Sequence, residues 1–152
     1  MTEESHHLLF MCVANSARSQ MAEGIARAIA PPEVVVSSAG SEPASVRPEA
    51  ITALAEIGVD ISGHSSKSVD DIDAGSVEIV ITLCADEVCP TYLGNVERLH
   101  WPIDDPAEVE GDEETRLEAF RVARDEIKRR IEELFEGWQI RMSMSPSRLD
   151  IG

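Results

Sequence analysis

Cysteine, aromatic residues, positive charge and long apolar runs are all scarce in this chain. The 152 residues include three cysteines, Cys12, Cys84 and Cys89. An odd and small number of thiols does not make a static disulfide framework, and reactive or redox-active thiols become the better expectation. There is no Cys-x2-Cys pair and no suitably spaced histidine beside Cys84 and Cys89, so no metal site is expected. The apolar runs, such as Val77 to Leu83, are far too short to span a bilayer, and the opening MTEESH has no signal-peptide core. A cytoplasmic protein is expected. Thirteen Lys and Arg face twenty-nine Asp and Glu, a net charge of −16. Nucleic acid and anionic membrane are thereby excluded as partners for the surface as a whole. An anionic ligand would be repelled at long range, so it must be held by local donors. No internal repeat or low-complexity segment is visible, and the length suits a single domain, expected to be a monomer.

What is there is concentrated in one stretch, His7 to Glu23, HLLFMCVANSARSQMAE. The apolar run Leu8 to Met11 predicts a short buried strand ending in Cys12. The small or polar residues Val13, Ala14, Asn15, Ser16 and Ala17 follow, then Arg18, Ser19 and helix-forming residues. Strand, tight loop and helix in that order aim several backbone N–H groups at one spot, where the helix dipole adds positive charge. A tetrahedral oxyanion suits such a spot. Arg18 would bring a planar fork of donors matched to two of its oxygens, and the same positive field favours the thiolate of Cys12. Ser19 is placed to donate a hydroxyl hydrogen bond to that thiolate. Cys12 then reads as a nucleophile, within Cys-x5-Arg-Ser.

The rest of the chain alternates strand and helix. A helix over Ser19 to Ala30 is stopped by Pro31-Pro32, and Glu33 to Ser38 is a β-branched run typical of a buried parallel strand. Pro48 to Ile57 predicts a second helix with proline in its first turn and Gly58 at its end. Val69 to Asp73 predicts a short helical turn. Val77 to Leu83 is the third strand and delivers Cys84 to the edge that carries Cys12, which is where open α/β sheets place their ligands. Ala85 to Asn95, broken by Pro90 and Gly94, is the segment most able to change shape. Val96 to Ile103 predicts a fourth strand. Asp112 opens the last helix, whose stripe is Leu117, Phe120, Ala123, Ile127, Ile131 and Leu134. Periodicity is lost from Gly137, so the domain is expected over residues 1–137 with a mobile tail over 138–152. The expected fold class is α/β, a four-stranded parallel sheet with helices on both faces and a phosphate-binding loop after the first strand.

Asp105-Pro106 follows the fourth strand on the same edge. A carboxyl there could act as a general acid, with proline fixing the loop; Asp104 could serve instead, and Asp-Pro pairs are also common in plain turns. Cys84 and Cys89 are close enough in sequence to cross-link after a local rearrangement, or could be two buried structural thiols. His6, His7, His64 and His100 show no ligand or catalytic spacing and read as surface or capping residues.

With these residues in hand, the chain resembles the low-molecular-weight protein tyrosine phosphatase fold family and, within it, the thioredoxin-coupled arsenate reductases. CVANSARSQMAEG is similar to the family's phosphate loop, VVVSSAG to its second strand, ITLCADEVCP to the reductases' redox segment, and HWPIDDPAEVEG with FRVARDEIKRRI to the acid loop and last helix. The resemblance implies a relay of three thiols. Cys12 attacks arsenate, Arg18 binds the oxyanion and Asp105 protonates the leaving hydroxyl. Cys84 then takes over, arsenite leaves, and Cys89 moves the disulfide to Cys84–Cys89 for thioredoxin, the electron donor, to reduce. No bound cofactor is implied. Many relatives have a further cysteine where this chain has Ala17, but three thiols suffice. The Cys84 to Cys89 spacing is shorter than in the best-known reductases. Some relatives bind potassium through residues resembling Asn15, Glu23 and Ser38 plus an aspartate; Lys67 stands in the aspartate's place, and no structural potassium is expected.

Other readings use the same residues differently. A tyrosine phosphatase would need Cys12, Arg18 and Asp105 but has no use for Cys89. Its relatives carry aromatic residues after the Asp-Pro, where this chain has Ala107-Glu108-Val109. A reductase drawing on a low-molecular-weight thiol would leave Cys84 and Cys89 idle. A sensor that binds an oxyanion would form a disulfide once, without turnover.

Overall fold

Four runs of apolar and β-branched residues form the strands of one parallel sheet: β1 (His6–Cys12), β2 (Val34–Gly40), β3 (Ile79–Thr82) and β4 (Glu97–His100). The computed structural model describes residues 6–12, 17–40, 44–72, 76–84 and 96–143, apart from the side chains of 69 and 139–143. The strand order is β2-β1-β3-β4, so the crossover from β2 to β3 passes β1. Registers run Cys12 opposite Gly40, Met11 opposite Thr82, and Thr82 opposite His100. The carboxyl ends of all four strands therefore share one edge, as the sequence predicts.

Alternation along the strands divides the core. Leu8, Phe10, Val36, Ile79 and Ile81 face α1 (Arg18–Ile29), α2 (Pro48–Ala55) and α3 (Glu113–Ser143). Leu9, Met11, Ala39 and Val80 face the other way, onto Val77 with Ile72 and Val96. Among the described residues the second face is thus covered by the segment around the short 3-10 turn Val69–Asp71, and the three long helices lie on the first.

Helix α1 is the most enclosed element, with its first nine residues all buried. Sheet, α2 and α3 surround it, which leaves no solvent face for the polar Arg18, Gln20 and Glu23; each must find partners inside. It ends at Ala30, extended as a residue before proline prefers. Pro48 occupies the first turn of α2, and Gly58 closes that helix at φ +80°.

Gly24 has no room for a side chain: an added Cβ would lie 2.6 Å from Ile61 Cγ2 and 2.9 Å from Leu54 Cδ1. Replacing Gly24 by alanine is expected to lower stability by about 1–2 kcal/mol, because overpacking outweighs the gain in helix propensity. Urea denaturation would show it; an equal or higher midpoint would mean that α2 and the segment after it have room to move.

The Asp112 side chain caps α3 by accepting from the Thr115 N–H at 2.8 Å. The predicted stripe is buried at Phe120, Ala123, Ile127 and Ile131 and extends to Phe135 and Trp138. Arg124 donates to the Ala53 carbonyl at 2.9 Å and to Glu56 at 2.8 Å, while Arg121 grips Glu56 at 2.8 Å, so α2 and α3 are clasped together. The Arg121 hydrogen bond, with Arg124 behind it, holds the Glu56 carboxyl below the usual carboxylate range. The domain boundary expected at residue 137 falls inside this helix, which continues to Ser143. A Cβ added at Gly137 would meet nothing within 4 Å, and burial of Trp138 continues the core past it. One glycine interrupts the sequence pattern without breaking the hydrogen-bond ladder, since packing on both sides offsets its cost. Residues 144–152 of the expected tail lie outside the described residues.

Candidate active site

At the carboxyl edge, Cys12 ends β1 and is a buried free thiol, 2% exposed. Its Sγ lies 2.9 Å from the Ser19 hydroxyl, itself fully buried in the first turn of α1. The strand and helix therefore bring Cys12 and Ser19 into the contact that their spacing predicts. Ala17 precedes α1 without a side-chain hydrogen bond, so it caps none of the first-turn N–H groups. Val13, Ala14, Asn15 and Ser16, the expected oxyanion cradle, lie outside the described residues.

Arg18 is 3% exposed. Its Nη1 donates to the Ile103 carbonyl at 2.9 Å and to the Leu83 carbonyl at 3.3 Å, and its Nη2 stands 3.6 Å from an Asp105 carboxylate oxygen. One guanidinium thus reaches two segments, the end of β3 and the loop after β4. Asp105 accepts from the Ala107 N–H at 2.9 Å and caps the 3-10 turn Pro106–Glu108, so the turn and the carboxyl aimed at Arg18 are the same feature. The alternative candidate, Asp104, is exposed.

Cys84 is buried, disulfide-bonded, and two residues beyond the end of β3. Leu83 donates to the Met11 carbonyl at 3.0 Å and accepts from the Ile103 N–H at 3.1 Å, which keeps the approaches to Cys12, Cys84 and Asp105 in adjacent rows. Cys89 lies outside the described residues.

Around the inner side of α1 is a polar cluster that the sequence shows only in part. Glu23, 2% exposed, accepts from the Ser38 hydroxyl, pairs with Arg27 at 2.9 Å and faces the Lys67 ammonium at 3.5 Å. Lys67 was the expected neighbour of Glu23. Missed were Gln20 and His64. Gln20 Nε2 donates to the Ser65 carbonyl at 3.0 Å, which leaves its Oε1 to accept from His64 Nδ1 at 2.9 Å and fixes that proton on Nδ1. Burial pushes the His64 imidazole below its ordinary value, so it is neutral at pH 7. The sequence signal was a glutamine within an otherwise packed helix; its partner 44 positions away had none. The carbonyls of Leu83 and Ile103 that hold Arg18 were equally invisible.

The whole arrangement has known counterparts. Residues 7–143 match the family model of the low molecular weight phosphotyrosine protein phosphatases. The chain belongs to that family. Among curated members, the arsenate reductase of Halalkalibacterium halodurans is 44% identical over 131 residues, 85% of this chain and 94% of that protein. Among solved structures, an arsenate reductase in its oxidized state superposes with a TM-score of 0.73 at 33% identity, covering 86% of this chain and 97% of the other. The thioredoxin-dependent arsenate reductase of Corynebacterium glutamicum superposes at 0.69 with 31% identity, over 92% of this chain and 65% of that one. No helix among the described residues is long and apolar enough to cross a membrane.

Proposed function

We propose that this protein reduces arsenate to arsenite through three thiols and is recycled by thioredoxin, acting as a monomer in the cytoplasm. The observation that carries the reading is the buried Cys12 thiol, 2.9 Å from the Ser19 hydroxyl, at the edge where Arg18 faces Asp105. Cys12 is the nucleophile and Arg18, with the loop Val13 to Ala17, binds the oxyanion. Its thiolate attacks arsenic, and Asp105 protonates the departing hydroxide to water, leaving a sulfur–arsenic bond. Cys84 thiolate then attacks Cys12 Sγ; the sulfur–arsenic bond breaks and its electron pair stays on arsenic. Arsenic is reduced by two electrons, arsenite leaves, and Cys12–Cys84 is the oxidised product. Cys89 thiolate attacks Cys84 Sγ and frees Cys12, after which a thioredoxin dithiol reduces Cys84–Cys89.

Three further points support this reading. Curated relatives that align over most of this chain are arsenate reductases, and one solved neighbour is thioredoxin-dependent. A free Cys12 and a disulfide-bonded Cys84 are the pattern that attack by Cys89 would leave before thioredoxin acts. Ala107, Glu108 and Val109 after Asp105-Pro106 supply no aromatic surface for a tyrosine ring, so phosphatase activity is expected only as a weak side reaction on small esters. No bound cofactor is needed. Potassium is not required either, because Arg27 and Lys67 already answer the buried charge of Glu23.

The test is arsenate-dependent NADPH consumption with thioredoxin and thioredoxin reductase, run beside Cys89→Ser. Sustained turnover by the parent and at most one turnover by the variant is the expected result. Equal turnover by the variant would move the reaction to a low-molecular-weight thiol, and none by either would return the site to a phosphatase or a sensor.

A further inference from the structure

In a chain with twenty-nine acidic residues, almost every positive side chain is answered. Arg27 and Lys67 meet Glu23, Arg116 meets Glu49, and the cations further along α3 each pair with a carboxylate. Arg98 donates to the Val96 carbonyl, and Arg18 to the carbonyls already described. Among the described lysine and arginine side chains, Arg47 alone has neither a hydrogen bond nor an ion pair, and it is exposed.

The fold puts this charge at the reactive edge. Gly40 ends β2 opposite Cys12, and α2 begins at Pro48, so the residue before that helix stands at the carboxyl end of the sheet. Glu49 in the first turn of α2 pairs at 2.7 Å with Arg116 in the first turn of α3, the helix that follows the Asp105 loop. Val46 packs on the core, and the Arg47 carbonyl accepts from the Ala50 and Ile51 N–H groups, so the backbone here is fixed. Arg47 does nothing for α2 in return. Its side chain does not cap the helix, and a cation at a helix N-terminus opposes the dipole.

We propose that Arg47 is a capture residue for the oxyanion substrate, drawing it to the carboxyl edge from which it passes to Arg18 and Cys12. The inference rests on the arsenate-reduction reading above. A paired cation is largely cancelled at a distance by its carboxylate, whereas an unpaired one is felt out to the Debye length, about 30 Å at 0.01 M salt and about 3 Å at 1 M. On a molecule of net charge −16 an anion is repelled from most directions, and one uncancelled positive charge at the entrance selects the direction of approach. A side chain that works against its own helix is retained at this position for what it does to the ligand.

The experiment mixes reduced, full-length protein with arsenate in the absence of thioredoxin and follows the loss of free thiols, so that thioredoxin docking has no part in the result. At about 0.01 M ionic strength the second-order rate constant at low arsenate is expected to fall about threefold in Arg47→Gln and about tenfold in Arg47→Glu. The maximal rate at saturating arsenate is expected to stay that of the parent. At about 1 M the variants are expected to come within about 1.5-fold of the parent. Arg129→Gln removes the same charge about 24 Å along α3 from its start, and a change below about 1.5-fold is expected. The melting temperature of Arg47→Gln is expected to equal or exceed that of the parent, because the opposed dipole is relieved. An undiminished rate at low salt, a loss matched by Arg129→Gln, or a loss that persists at high salt overturns capture by Arg47. A reduced maximal rate with a lower melting temperature overturns it too, and makes Arg47 structural. No loss of thiols in the parent overturns the reductase reading itself, and the capture role with it.

Discussion

Replacing Cys12 by serine is expected to lower arsenate turnover by about 10⁴-fold or more while the fold survives. The serine hydroxyl is about as large as the thiol but is not ionised at neutral pH, and it cannot pass its electrons to a disulfide. Both the first bond to arsenic and the oxidation that balances the reduction are lost together. Stability should change little, by about 1 kcal/mol, because the new hydroxyl can still hydrogen-bond Ser19. Steady-state NADPH consumption and thermal unfolding measured on one preparation would separate the two effects. Turnover within tenfold of the parent would place the nucleophile on another thiol, and a collapsed fold would make Cys12 a structural residue.

The second large effect is expected at Arg18, where lysine keeps the charge and removes the fork. We expect Arg18→Lys to reduce kcat/KM by about 10²–10³-fold. An ammonium on a flexible stem cannot donate in parallel to two oxygens of an oxyanion. It also cannot reach the Ile103 and Leu83 carbonyls while facing Asp105, as the guanidinium does at 2.9, 3.3 and 3.6 Å. Because Arg18 is buried, some loss of stability accompanies the loss of activity, and the rate should be read well below the melting transition. A rate within a few-fold of the parent would mean that positive charge alone is enough at this position, and that the planar fork does not matter.

The burial of Cys12 and Arg18 bears on how so acidic a molecule would take an anion in the proposed reaction. A net charge of −16 opposes approach, but salt screens that repulsion over about 8–10 Å. At close range an anion bound as proposed would meet Arg18 and the N-terminal end of α1, where local donors count for more than distant carboxylates. The same enclosure accounts for the clustering of buried polar groups on α1. Arg18, Ser19, Gln20 and Glu23 would destabilise an ordinary core helix, yet each has a partner, and all four lie within the strand-loop-helix stretch that ends at Glu23.

Much of this was legible in the chain, for a physical reason. Strand and helix periods, prolines at 31, 32 and 48, and the cap at Asp112 are short-range features, so the order of elements follows from local chemistry. Cys12, Arg18 and Ser19 stand within one loop and turn, and their mutual distances are limited by the few residues between them. What lies far apart in the chain was decided only by tertiary structure. The sequence marks Asp105 as a candidate acid, but only the packing of β3 beside β1 and β4 brings its carboxyl to Arg18. Backbone carbonyls carry no residue signature, so the Leu83 and Ile103 contacts could not be anticipated. His64 looked like a surface residue until the loop that bears it folded against α1 and met Gln20. The end of α3 went the same way: the pattern fades at Gly137, but burial of Trp138 carries the helix on to Ser143. Local sequence determined which elements form and where the reactive groups sit on them; the sheet order and helix packing, which depend on burial summed over the whole chain, decided which of those groups meet.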